Sequence, residues 1–175
     1  PFLLKTLPDI IVHSINEEFA FFWMGLVGYT LLWNMFFRRI GSFIPTLEHE
    51  STHALFAVLT GHRVVDFEVR WKSGGHVGYV GGEGNWLITL SPYFVPLLLI
   101  ITLPSLSYFV ENTRVQGLIL GMVFSFELIS TWRQLHRKQP DVHKVGWFFC
   151  FVFLPPALLT VYGSVLYFLC TDISS

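Results

Sequence analysis

From Phe19 to Phe37 the chain carries no charged residue and only one strongly polar one, Asn34. A run of that length and character belongs in lipid, where backbone N–H and C=O groups must find partners within the chain, so it has to be a helix. Arg38-Arg39 closes the run at the polar boundary. Apolar residues make up 53% of the sequence and charged residues 13%, whereas a soluble domain carries roughly a quarter charged residues. The rest of the chain is therefore read with the same solvent in mind.

Further apolar segments lie at about 40–60, 86–103, 115–132 and 145–170. The second ends at Gly61, a common helix stop. Pro92 and Pro96 interrupt the third, and Pro155-Pro156 bends the last. Residues 62–84 change period: Val64, Val65, Phe67 and Val69 are strand-like, Lys72-Ser73-Gly74-Gly75 makes a turn, and His76 to Val80 resumes the extended pattern. Residues 1–15 place Leu3, Leu4, Leu7, Ile10, Ile11 and Ile15 on one helical face, as in a short helix lying on the membrane or packed on the bundle. The expectation is an all-α polytopic membrane protein, one domain over residues 1–175, with about five transmembrane helices and a short β-hairpin between the second and third.

The net charge of -1 gives no long-range attraction for nucleic acid. Cys150 and Cys170 stand about 30 Å apart on a continuous helix, which excludes an intrachain disulfide. Residues 1–15 lack a cleavable-leader pattern, and the first span is expected to serve as an uncleaved targeting signal. Lys5, the hairpin's Arg63, Arg70 and Lys72, and the Arg133 to Lys144 stretch favour a cytoplasmic N-terminus, while Arg38-Arg39 votes against it.

The second segment holds the chemistry. His49-Glu50-Ser51-Thr52-His53 sets two histidines four apart on a helix, so both imidazoles point into the same space as half of a tetrahedral zinc site. Glu50 stands beside them, placed to take a proton from a metal-activated water and pass it to a leaving amine. Ionisable groups at membrane depth are costly, and a metal ion gives these three a reason to be there; a polar packing cluster is the plainer reading. Glu48, on another face, is a structural or supporting partner. A third protein ligand is needed, and the residues alone leave Asp141, Glu127, His136 and His143 as candidates. Glu127 stands alone in an apolar helix, where its plainer role is a hydrogen bond or ion pair with a neighbour. Asn85 and Ser91-Pro92 are candidates to face a scissile carbonyl, with helix capping the other role for Asn85.

The run Leu47 to Leu55, then Thr60-Gly61-His62-Arg63-Val64-Val65, a Gly-rich hairpin and a Pro-broken helix, resembles the site-2 protease family of intramembrane zinc metalloproteases over most of residues 43–160. In that family an Asp on a later helix completes the metal site, and Gln139-Pro140-Asp141-Val142-His143-Lys144-Val145-Gly146 is similar to that segment in its small, divergent members. The resemblance thus implies one zinc ion held by His49, His53 and Asp141, Glu50 as the catalytic base, and a membrane-protein or peptide substrate in the bilayer. It also implies that the hairpin between the metal helix and the next span lies at the membrane, where an open strand edge can hold extended substrate. Two other classes stand beside it: a non-proteolytic subunit or scaffold of a larger membrane complex, and a transporter resting on Glu127 and the broken helix.

Overall fold

The computed structural model describes residues 17–37, 43–71, 74–81, 84–135 and 139–172. The expected helix at 1–15, the Arg38-Arg39 pair and His136 lie outside these residues. In chain order the elements are α1 (Glu17–Leu32), ending in a π-helical turn at Trp33–Phe37, then α2 (Phe43–Leu59), β1 (Arg63–Arg70) and β2 (Gly74–Val80). There follow α3 (Trp86–Leu90), which runs into a 3-10 turn at Ser91–Tyr93, α4 (Leu97–Phe109), α5 (Thr113–Gln134), α6 (Pro140–Val145) and α7 (Trp147–Asp172).

Among the described residues, three helical stretches are long and apolar enough to cross a membrane, at Phe19–Phe36, Thr113–Gln134 and Trp147–Tyr167, and a broken pair, Trp86–Tyr93 with Leu97–Phe109, raises the number to four if it counts as one span. The expectation of about five spans is thus borne out in part, as a helical chain with several candidate spans. The helix that falls short is α2, whose 17 residues cover about 26 Å, less than a hydrocarbon core of about 30 Å. Its hydropathy is also diluted by the charged motif.

The described residues pack as two compact units. The first takes α1 up to Met35, α4 from Leu98, α5 up to Ile129 and α7 from Pro156. Its core is built on Phe19, Phe22, Leu99, Leu106, Leu120, Phe124 and Tyr162. In lipid, apolar side chains gain little by leaving one apolar solvent for another, so helices are held by close backbone approach and interhelical hydrogen bonds. Both appear where α1 meets α5. A Cβ on Gly25 would lie 2.0 Å from the Leu118 carbonyl oxygen, and one on Gly121 would lie 2.0 Å from that of Phe22. One helical step on, Thr30 Oγ1 and Ser125 Oγ are 2.8 Å apart, a contact of the kind worth about 0.6 kcal/mol between membrane helices. Glu127 belongs here too. Only 2% exposed, it accepts the Leu99 backbone N–H at 3.0 Å in the first turn of α4, where helix geometry leaves donors unpaired. A carboxylate at a helix N-terminus also faces the favourable end of the helix dipole.

The second unit takes α2, the hairpin, α3, the Ser91–Tyr93 turn, the end of α5 from Ser130, α6, and α7 up to Pro155. α2 stops at Gly61, whose φ of +80° is open to glycine at little cost; the His62 N–H then bonds to Ala57 O at 2.8 Å, satisfying a terminal carbonyl. β1 and β2 pair antiparallel from Arg63↔Val80 to Arg70↔Gly74, with one irregularity between Val64 and Asp66. This is the hairpin expected between the second and third helices, and α2 packs on both its strands. A small core of Leu90, Tyr93, Val142, Cys150 and Leu154 joins the Ser91–Tyr93 turn to α6 and the start of α7. α6 starts at Pro140 behind the N-cap Gln139, a position where proline's missing N–H costs nothing. That start sets Asp141 in the first helical turn.

Candidate metal centre

α2 carries His49 and His53 on successive turns, and the two Nε2 atoms come within 3.2 Å of each other. Asp141, brought by α6, places Oδ2 at 3.6 Å from His49 Nε2 and 3.5 Å from His53 Nε2. Three ligand atoms from two elements thus form a small triangle. Zinc–nitrogen bonds of about 2.0–2.1 Å in a tetrahedron require ligand atoms about 3.3–3.4 Å apart, so the three edges suit one ion between them.

The supporting contacts agree with that use. His53 Nδ1 is 2.8 Å from the Ile88 carbonyl oxygen; since a carbonyl only accepts, Nδ1 carries a proton, and Nε2 is the ring nitrogen that faces the triangle. The His49 ring is steered by packing. Its Nδ1 is buried without a hydrogen-bond partner among the described residues, and the Tyr93 ring meets the imidazole edge to face at 5.3 Å. Asp141 is held through both oxygens: Oδ2 accepts the Tyr93 hydroxyl at 3.1 Å, and Oδ1 lies 3.6 Å from Lys144 Nζ. Burial alone would raise the Asp141 pKa. The hydrogen bonds and charge of His49 and His53 outweigh it and hold the carboxyl well below the ordinary carboxylate range.

Glu50, 8% exposed, lies against the hairpin. A Cβ on Gly75 would lie 2.5 Å from Glu50 Cγ and 2.9 Å from its Oε1, so β2 reaches the Glu50 side chain only because residue 75 has none. Two cavities open beside this residue. The larger, about 750 Å³, is bounded by His49, Glu50, His53 and Asp141, by Gly75 to Tyr79 of β2, and by Lys144. The smaller, about 290 Å³, shares His49, Glu50 and Gly75 and is closed by Ser130, Arg133, Gln134 and Gln139. The ligand triangle therefore sits on the wall of a cleft with one strand running along it.

Among the other sequence candidates, Glu127 is engaged with Leu99 and is not in the converging group. His143 is exposed and also outside it. Glu48 is half-buried, and its carbonyl accepts the Thr52 hydroxyl at 2.9 Å. Asn85 caps α3, its Oδ1 accepting the Leu87 N–H at 3.1 Å, and Ser91 Oγ is turned onto the Ile88 carbonyl at 3.0 Å. Tyr93, Lys144 and the contact of Gly75 with Glu50 belong to no sequence motif. The only signal for Tyr93 was its place after Ser91-Pro92, a break already singled out; for Lys144, it was the helical spacing of three from Asp141.

No curated protein and no solved structure matches the chain. A family model described as Peptidase M50B-like does match, over residues 22–155, a stretch that contains α2, the hairpin, the broken third helix and α6. In keeping with its resemblance to the site-2 proteases, the chain belongs to the Peptidase M50B-like family.

Proposed function

We propose that this protein is an intramembrane zinc endopeptidase, hydrolysing a peptide bond of a membrane-protein or peptide substrate within the bilayer or at its edge. The observation that carries the reading is the triangle of His49 Nε2, His53 Nε2 and Asp141 Oδ2, with edges of 3.2, 3.5 and 3.6 Å, beside the buried carboxylate of Glu50. In this reading His49, His53 and Asp141 hold one zinc ion. When bound, zinc supplies Lewis acidity, polarising a carbonyl oxygen and easing the loss of a proton from water near neutral pH.

The chain's own residues do the rest. Glu50 accepts the proton of the attacking water, whose oxygen bonds to the scissile carbonyl carbon, and returns that proton to the amide nitrogen as the C–N bond breaks. Gly75, lacking a Cβ, leaves the space in which Glu50 stands during both transfers. Gly75 to Tyr79 line the cleft, so an unwound substrate laid beside β2 would bond to its backbone in the manner of an added strand. Such pairing is sequence-tolerant and keeps the scissile bond extended beside Glu50.

The test is cleavage of a single-span test substrate by the purified protein in detergent or proteoliposomes. Wild type is expected to cut it, and Glu50→Gln, which keeps the three ligands, is expected to lose at least about 100-fold in rate, as for removal of a general base. Equal cleavage by the two proteins rules the reading out. If wild type does not cleave and co-purifies stoichiometrically with a membrane complex whose behaviour Glu50→Gln leaves unchanged, the non-proteolytic scaffold takes its place.

A further inference from the structure

Tyr93 is fully buried within the second unit's small core, and its hydroxyl donates to Asp141 Oδ2 at 3.1 Å. Burying a phenol hydroxyl in an apolar core is costly unless it is bonded, and a phenylalanine would fill the same ring space. The oxygen that receives this bond is the one that faces both imidazoles, at 3.6 and 3.5 Å. The other oxygen, Oδ1, points toward Lys144 at 3.6 Å, but that side chain is 68% exposed, and an exposed ion pair restrains little. The firm constraint on the carboxylate's rotation is thus the phenol. Its ring is clamped in turn, edge to face on His49 at 5.3 Å.

We propose that Tyr93 is a positioning residue of the metal centre: its hydroxyl holds Asp141 as a one-oxygen ligand and thereby keeps one coordination position free for the reaction. The inference rests on the zinc reading above. A turn about the Asp141 Cβ–Cγ bond that brings Oδ1 toward the imidazoles displaces Oδ2 from its place beside the Tyr93 hydroxyl. With both imidazole nitrogens given to the metal, the Tyr93 hydroxyl is, among the described contacts of Asp141, the buried one that opposes the turn. After such a turn a second oxygen would occupy the position that hydrolysis needs.

The experiment uses the full chain purified in detergent, stripped of metal and reloaded with zinc or cobalt(II). Tyr93→Phe keeps the ring, and retention of the helical circular dichroism spectrum checks the fold. Its zinc affinity, read by chelator competition, is expected to be about 10- to 100-fold weaker, the usual effect of losing a partner of a metal ligand. Its cobalt form is expected to lose visible absorption intensity, because four-coordinate cobalt(II) absorbs more strongly than five-coordinate, and geometry is what such spectra report. Lys144→Met, which leaves the phenol in place, is expected to keep the wild-type cobalt spectrum. A Tyr93→Phe spectrum identical to wild type overturns the inference, as does a Lys144→Met spectrum changed as much as that of Tyr93→Phe. A wild-type protein that takes up neither metal overturns the zinc reading itself.

Discussion

At the scale of single residues, the site depends on what is missing as much as on what is present. Gly75 lets a strand touch the side chain of Glu50, and a methyl group 2.5 Å from Glu50 Cγ has to push that side chain aside. Gly75→Ala is therefore expected to lower kcat by about 10- to 100-fold, the scale of a small misplacement of a reacting group, with bound zinc unchanged; elemental analysis beside steady-state kinetics checks both halves. Asp141 makes a pH prediction. Its carboxyl is held below the ordinary range, so the stability it lends is present above the unfolded-state pKa of about 3.9 and is lost as pH falls toward the folded value. In metal-free protein, the gap in thermal midpoint between wild type and Asp141→Asn is expected to persist from pH 7 to 5 and to close below about pH 4. A gap that closes between pH 7 and 5 contradicts this. The two histidines and Glu50 were legible in the sequence because four-residue spacing on a helix is itself geometry. Asp141 was not singled out by the residues alone, since no local spacing tells which distant loop folds back; the family resemblance pointed to it. Tyr93 went unnoticed because, in a chain that is 17% aromatic, one more ring reads as packing.

At the scale of elements, patterns of period and breakage carried most of the information. The switch from helical to alternating pattern after Gly61 located the hairpin, and Pro92 with Pro96 located the break that places Ser91–Tyr93 between α3 and α4. Span number was harder to read. α2 is flanked by apolar residues yet is 17 residues long, and the sequence alone does not tell a short span from a helix buried within protein. Packing partners were not legible at all: that α1 meets α5 through Gly25 and Gly121 follows only from the coordinates. Gly121→Ala, placing a methyl group 2.0 Å from the Phe22 carbonyl oxygen, is expected to destabilise the protein by about 1–3 kcal/mol as overpacking does. Unfolding in mixed micelles measures it, and an unchanged midpoint would mean that the two helices do not approach so closely.

At the scale of the whole molecule, helices long and apolar enough to cross a membrane, a two-stranded sheet and the Peptidase M50B-like family are in place. Metal-ligating side chains from separate elements converge in a partly buried cleft, and a bound ion would repay their desolvation. The most direct measurement is therefore zinc per chain in protein purified from zinc-supplemented cells, for wild type, Asp141→Ala and Glu127→Ala. About one ion is expected for wild type and for Glu127→Ala, whose carboxylate serves the α4 backbone, and well under half of one for Asp141→Ala. Zinc retained in full by Asp141→Ala and lost by Glu127→Ala, or absent from wild type, would contradict the account.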